Sequence, residues 1–337
     1  MAMNMMNWVD EILASEQRKG MLVLSFPAIQ KMGVTVKELI NSTELQAQAM
    51  KTVADATPDA AASVSFMDLS VEAEAFGSTI HVSDDEVPTV VGSIIDSEED
   101  ADALVVPEVG AGRTKLYLEA MKKATQIITD RPVFAGSIGP FSLAGRLMDV
   151  SEAMIYCYEE PDMVHTVLGK VTDFLIRYIN AYKETGANGV VVAEPLAGLL
   201  SPDLEEEFSG EYMKRIVREV QTDEFLVIYH NCGNCTIQQI ESIAQNGCRI
   251  LHFGNAIDMA EMLPTVPENI IAMGNVDPAG QFRNGTPEGV KAATISLMEK
   301  CGQYKNYVPS SGCDIPPMSP WENIEAFFEG VRAYYQG

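Results

Sequence analysis

Short runs of apolar, often β-branched residues alternate along this chain with longer stretches whose apolar positions recur every three or four residues. The short runs fall at 21–26, 62–67, 132–137, 189–194, 225–230, 249–253, 270–274 and 307–310. Two of them, Val190-Val191-Val192-Ala193 and Leu226-Val227-Ile228-Tyr229, are apolar at every position, the pattern of parallel strands buried on both faces. Among the longer stretches, 162–184 places Val164, Val167, Leu168, Val171, Phe174, Leu175 and Tyr178 close to one helical stripe. Further helices are predicted over 204–222, 237–246, 287–301 and 320–335. Eight strands interleaved with helices predict an α/β fold, a (β/α)8 TIM barrel forming a single domain over 1–337. The pattern adds an N-terminal helical extension over 1–20 and an insertion after the second strand, about 80–131. A doubly wound open sheet is the competing pattern, but no G-x-G-x-x-G follows the first strand. In a barrel the chemistry sits at the carboxyl ends of the strands, which directs attention there.

Composition narrows the function classes. Forty-eight acidic against 23 basic residues give a formal charge of −25, a field that repels phosphate backbones and disfavours nucleic-acid binding. No apolar run reaches the roughly 18 residues of a membrane-spanning helix, so no membrane partner is expected. Six cysteines are too sparse for a disulfide scaffold, and the first twenty residues carry no apolar signal core. A cytoplasmic protein is expected, with cysteines that are either packed thiols or chemistry.

The fifth strand runs into Tyr229-His230-Asn231-Cys232-Gly233-Asn234-Cys235. In extended chain, His230 and Cys232 project to the same side. An imidazole and a thiol at a strand end suit Zn²⁺, and Cys313, directly after the eighth strand, offers a third donor. One His and two Cys would leave a fourth position open, as in catalytic rather than structural zinc sites. Cys232 and Cys235 also form a C-x-x-C pair, which reads as redox-active, as half a zinc knuckle or as small packed residues. Cys157, Cys248 and Cys301 fall within or beside helices without a nearby His and read as core. His81, His165 and His252 read as structural. Glu194 closes the fourth strand, and Asn275 and Asp277 stand in Gly274-Asn275-Val276-Asp277-Pro278 after the seventh. All three are candidate substrate contacts, with loop capping and an Asx-turn as competing roles. Asp84-Asp85-Glu86 has no metal-loop spacing and reads as a solvated turn.

An ordered set of segments carries a resemblance. Residues 68–77, 139–144, Glu194-Pro195, 200–202, 274–278 and 312–317 are similar to the uroporphyrinogen decarboxylase superfamily, and within it to the cobamide-dependent methyltransferase branch. The resemblance implies a (β/α)8 barrel and a zinc held by H-x-C and a late cysteine, which map onto His230, Cys232 and Cys313. It further implies methyl transfer from a methyl-Co(III) corrinoid on a partner protein to a thiol such as coenzyme M. Tetrahydrofolate is an alternative acceptor, and a decarboxylase-like protein or a non-catalytic barrel that docks a corrinoid protein is an alternative role. The arginine-rich stretch of the decarboxylases is missing from residues 25–33, which hold one lysine, Lys31. No D-x-H-x-x-G corrinoid-ligand motif surrounds any histidine, so cobalamin would come with the partner. The pattern places no cationic or amide donor for the sulfonate of coenzyme M. Homodimers occur in the superfamily.

Overall fold

A computed structural model describes residues 3–336. Among them are nine strands: β1 (Ser63–Val64), β2 (Thr79–His81), β3 (Thr89–Val91), β4 (Val133–Ile138), β5 (Gly189–Ala193), β6 (Leu226–Asn231), β7 (Ile250–Phe253), β8 (Ile271–Val276) and β9 (Tyr307–Ser311). Seven form one parallel sheet in the order β1-β4-β5-β6-β7-β8-β9, each next to its sequence neighbour. That order, with helices between consecutive strands, is the α/β pattern the periodicity predicts. Every residue of β4, β5, β6, β7, β8 and β9 is buried, which is why these strands read as apolar runs rather than as alternation.

The first expected strand, 21–26, is extended chain but makes no regular ladder. It lies in the gap between β9 and β1 and is tied to both edges. Met21 N–H donates to the Pro309 carbonyl at 3.0 Å and Ala61 N–H to the Gly20 carbonyl at 2.9 Å. Pro309 has no N–H to return. Hydroxyls take over the remaining bonds: Ser310 Oγ donates to Met21 O at 2.5 Å, Ser311 Oγ accepts from Val23 N at 3.3 Å, and Ser25 Oγ donates to Val64 O at 2.6 Å. The side chains still alternate as in a strand. Met21 and Val23 join an inner cluster with Val64, Phe134, Val191, Ile228, Ile271 and Val308, while Leu22, Leu24 and Phe26 face the outer helical layer.

The N-terminal extension is a helix, Met5–Ala14, capped by the Asn4 side chain, which accepts from Asn7 N at 2.8 Å. Met5 and Val9 enter the inner cluster, so this helix covers one end of the sheet's interior. The stretch 80–131 holds the β2–β3 hairpin, a helix Glu98–Ala103 and a helix Thr114–Ile127. The last buries Tyr117, Ala120, Met121 and Ala124 at helical spacing and packs on Thr43–Ala56, as a strand-connecting helix does. The helix expected over 204–222 contains a π-turn at Glu206–Gly210, with Phe208, Ser209 and Gly210 buried. The one expected over 237–246 shortens to Ile240–Ala244, because Gln238 N–H and Gln239 N–H donate three residues back, to Cys235 O at 2.9 Å and Thr236 O at 3.2 Å, and keep this stretch in turns. Among the described residues, no helix is long and apolar enough to cross a membrane.

Candidate metal centre

His230 and Asn231 are the last residues of β6, and Cys232 follows at once. Cys313 comes two residues after β9. Strand register thus brings both segments to the carboxyl edge of the sheet. One donor atom from each of His230, Cys232 and Cys313 lies within 4.8 Å of the others, and these three form the one such His/Cys/Asp/Glu group among the described residues. Cys313 Sγ is 3.4 Å from His230 Nε2. His230 is 4% exposed, and its Nδ1 has no hydrogen-bond partner. The ring is instead steadied by His252, 4.5 Å away between centroids. His252 is structural: its Nε2 lies 2.6 Å from the Ser311 carbonyl, which accepts and so fixes the proton on that nitrogen. Burial, then the neighbouring His230, holds the His252 ring well below its usual range and therefore neutral.

The two sulfurs differ in acidity. A hydrogen bond from the Cys313 thiol, opposed by burial and aided by His230, brings Cys232 down to about 4. Cys313, which keeps that proton, is pushed well up by the same hydrogen bond and by burial. Two sulfurs and one imidazole nitrogen therefore face a common point. That chemistry fits a borderline-soft divalent ion, which would displace the remaining S–H proton. The Cys232 loop is packed from behind. A Cβ at Gly254 would fall on the backbone and Cβ of Cys232, and Gly198 and Gly233 approach so closely that neither has room for a side chain.

The other candidates lie elsewhere. Cys235 faces Asn234 Oδ1 at 3.6 Å and stays outside the donor group, so the C-x-x-C spacing does not converge. Glu194 is fully buried, and its carboxylate accepts from Phe141 N (2.8 Å), Ser142 N (3.1 Å) and Ser142 Oγ (3.0 Å) at the start of helix Pro140–Met148. It is a helix cap, and burial pushes its carboxyl up to about 8 against those bonds. Asn275 Nδ2 donates to Gly254 O and Ile257 O, both at 2.9 Å, tying the loop after β7 to β8. Asp277 Oδ1 accepts from Ala279 N and Gly280 N at 2.9 Å, the Asx-type arrangement. Cys157, Cys248 and Cys301 are buried.

A cavity of about 220 Å³ opens beside the donor group, lined by His230, Cys232, Cys313 and Asp314 and by apolar walls from Val23, Met67, Leu69, Val191, Ala193 and Pro195. A larger space of about 380 Å³, under the N-terminal helix at the other end of the sheet, includes no such donor group. Asp314 is the residue that pattern reading passed over, since it stands beside Cys313 in a motif and has no partner in sequence. Its carboxyl oxygens are buried and unpartnered. Burial raises the carboxyl well above its usual range; the N–H groups of Ile315 and Met67 approach and ease the charge without forming normal hydrogen bonds.

Behind the cavity wall, the 68–77 motif builds a second polar cluster. Arg113 donates to Asp68, to Glu74 Oε2 at 2.6 Å and to Ser70 Oγ at 2.8 Å, while Tyr117 OH donates to Asp68 Oδ2 at 2.7 Å. Glu72 Oε1 accepts from Ser137 Oγ at 2.8 Å and Ile138 N at 3.2 Å. Burial nonetheless pushes the Glu72 carboxyl from 4.5 up to about 7. A carboxyl raised in the fold carries a proton that the unfolded chain has lost, so its contribution is complete below about 4.5 and disappears as pH rises through about 7. Relative to Glu72→Gln, the native protein is expected to lose about 3 kcal/mol of unfolding free energy between pH 4.5 and 8. Urea melts at both pH values check this; equal losses in the two proteins would contradict it.

The chain belongs to the uroporphyrinogen decarboxylase (URO-D) family, whose model matches residues 16–334. Two kinds of enzyme stand among its relatives at nearly equal distance. It is 28% identical over 285 residues to the uroporphyrinogen decarboxylase of Coxiella burnetii, covering 81% of this chain and 77% of that one. It is 29% identical over 272 residues to the methylcobamide:CoM methyltransferase MtbA of Methanosarcina acetivorans, covering 79% and 78%. Among solved structures it is similar to a methyltransferase from Methanosarcina mazei, with a TM-score of 0.86 at 23% identity over 99% of both chains. A B12-independent methionine synthase from Shewanella shares the fold with a TM-score of 0.61 at 13% identity, covering 89% and 90%.

Proposed function

We propose that this protein is a zinc-dependent methyltransferase that moves a methyl group from a methyl-Co(III) corrinoid, presented by a separate protein, to a small thiol. The observation that carries this reading is the convergence of His230, Cys232 and Cys313 within 4.8 Å at the carboxyl edge of the sheet. We read that sheet as a (β/α)8 barrel with residues 21–26 as its eighth stave, which would put the three donors at the catalytic mouth. The donor set fits zinc, with three protein ligands and one position left over. Zinc held there would supply Lewis acidity that ionises a thiol whose ordinary pKa, about 8.5, leaves it mostly protonated at neutral pH.

The chain's own residues set the conditions around that thiol. Cys232 and Cys313 bring negative charge to the centre, so the acceptor sulfur keeps its nucleophilicity. His230 is held by its contact with the tilted ring of His252, and the glycines behind Cys232 fix where its sulfur points. Val23, Met67, Leu69, Val191, Ala193 and Pro195 exclude water from the sulfur's surroundings.

Identity does not separate the two enzyme types among the relatives, and the donor set supports the methyltransferase reading. Decarboxylation of a polyanionic tetrapyrrole has no use for a cluster of thiols. Residues 25–33 hold no arginine, and their one cation, Lys31, sits over the Trp321 ring at 4.4 Å. The cavity of about 220 Å³ has the size of a small thiol rather than of a folate. The expected result with zinc-loaded protein, methylcobalamin and a small thiol is loss of the methylcobalamin absorbance together with an S-methyl product, both stopped by a chelator. Decarboxylation of uroporphyrinogen with no thiol methylation would overturn the reading.

A further inference from the structure

We propose that the cavity under the N-terminal helix binds a small monoanion with an apolar body, its anionic group received by Arg18 and Lys19. The basis is a buried cation without a counter-charge. Three arginines are buried among the described residues, Arg18, Arg113 and Arg131. Arg113 pairs with Asp68 and Glu74, and Arg131 pairs with Asp130. Arg18, 9% exposed, forms no ion pair among the described residues, although the chain carries 48 acidic side chains. Its Nη2 donates to the Lys305 carbonyl at 2.7 Å, and its backbone N–H donates to Tyr335 OH at 2.8 Å, so the residue is fixed in place. Nε is buried without a partner, whereas Nη1 has none among the described residues and keeps accessible surface. A guanidinium stays charged when buried, so an unpaired one costs free energy that an anion would offset.

Arg18 lines the space of about 380 Å³, which falls within the roughly 300–1,000 Å³ of small-molecule pockets. Its floor is apolar: Ile250 and Ile271 open β7 and β8, and Met273 and Val308 belong to the same inner cluster. Trp8 and Ile12 of the N-terminal helix form the facing wall. Lys19, next to Arg18 on the lining, is exposed and forms no ion pair among the described residues. The carboxylates nearby do not answer these two cations. Asp130 accepts from Arg131 Nε at 2.9 Å and Nη2 at 2.7 Å, and Glu11 is exposed and bonds to neither Arg18 nor Lys19. Arg131 is engaged in turn, its Nη1 donating to Thr57 O at 2.6 Å. A groove on the outer side shares Ser15, Gln17, Arg18 and Lys19 with the cavity, so an anionic group stays near water while the apolar body is buried. An ammonium group placed there would meet two cations. A neutral alcohol would fill the floor and leave Arg18 unpaired. A carboxylate satisfies both ends.

Octanoate, 1-octanol and octylammonium, which share one hydrocarbon chain, test this by calorimetric titration of the full chain. Octanoate is expected to bind about tenfold or more tighter than 1-octanol, and octylammonium more weakly than either. Because Trp8 stands in the cavity wall, octanoate should also shift the tryptophan emission, and Trp8→Phe should abolish that shift. Lys19→Met should weaken octanoate about threefold, and Arg18→Met should bring it to within about threefold of 1-octanol. Octanoate binding no tighter than 1-octanol would refute the proposal. So would an emission change that persists in Trp8→Phe, since the anion would then sit elsewhere, or an anion preference that survives both Arg18→Met and Lys19→Met. If Arg18→Met fails to fold, the native series and Lys19→Met, at an exposed position, still decide the matter. Zinc content is expected to stay the same in every arm, which keeps this site separate from the metal centre at the other end of the sheet.

Discussion

Cys313→Ala is expected to purify with less than about a tenth of the zinc of the native protein and to lose thiol methylation by about a thousandfold or more. The basis is the three-residue donor set. Two donors, His230 and Cys232, arrive together from one strand end, whereas Cys313 comes from another strand and closes the group. Without it, an ion would keep a bidentate grip from one short segment, and the catalytic arrangement of three protein ligands would be gone. The variant should also lose the thermal stabilisation by added zinc that a metal bound only to the folded state provides. Two controls make the result specific. Cys301→Ala removes a buried helical thiol, and Cys235→Ala removes a sulfur that faces Asn234 at 3.6 Å; both should keep their zinc. Full zinc and full activity in Cys313→Ala would defeat the metal-centre reading. Loss of zinc in Cys235→Ala would point to the C-x-x-C pair instead.

What the sequence made legible follows from how each signal arises. Strands buried on both faces must be apolar at every position, so β5 and β6 were visible as Val190–Ala193 and Leu226–Tyr229. Helix Pro287–Cys301 was recoverable to the residue because Thr286 caps one end and Gly302 ends the other. His230 and Cys232 could be placed together because alternation along a strand is a local rule, and the position of Cys313 after another strand supplied the third donor. The first strand was read correctly as extended chain, but not its bonding. Its ladder runs through the hydroxyls of Ser25, Ser310 and Ser311, and no periodicity reports a serine replacing a backbone donor. Glu194 and Asp277 were ambiguous for a different reason. A carboxylate at a strand end looks the same in sequence whether it meets a ligand or a helix N-terminus, and here each finds backbone N–H groups. Asp314 and Arg113 escaped notice because their meaning lies in partners, missing for one and numerous for the other, that only the fold assembles.

Arg113→Met is expected to cost about 3–5 kcal/mol of stability, because it leaves a buried carboxylate unpaired rather than merely removing a surface charge. Asp68 and Arg113 are both buried. Each nitrogen of the guanidinium has its own acceptor, Asp68, Glu74 and Ser70, and Tyr117 adds a fourth contact through Asp68. Methionine fills much of the same volume and offers no donor, so the charge of Asp68 would keep only the Tyr117 and Ser70 hydroxyls and the Ser70 N–H. If unpaired charge is the cause, a second change should relieve it: Asp68→Asn in the Arg113→Met background is expected to recover about half the loss or more. Urea denaturation of the two single variants and the double variant measures this directly. A single-variant cost below about 1 kcal/mol would place the pair among ordinary surface bridges. The consequence reaches the active centre, because Met67 and Leu69, on either side of Asp68, form part of the cavity wall. Loosening Asp68 should therefore weaken thiol binding while the zinc content holds, separating a residue that shapes the cavity from one that holds the metal.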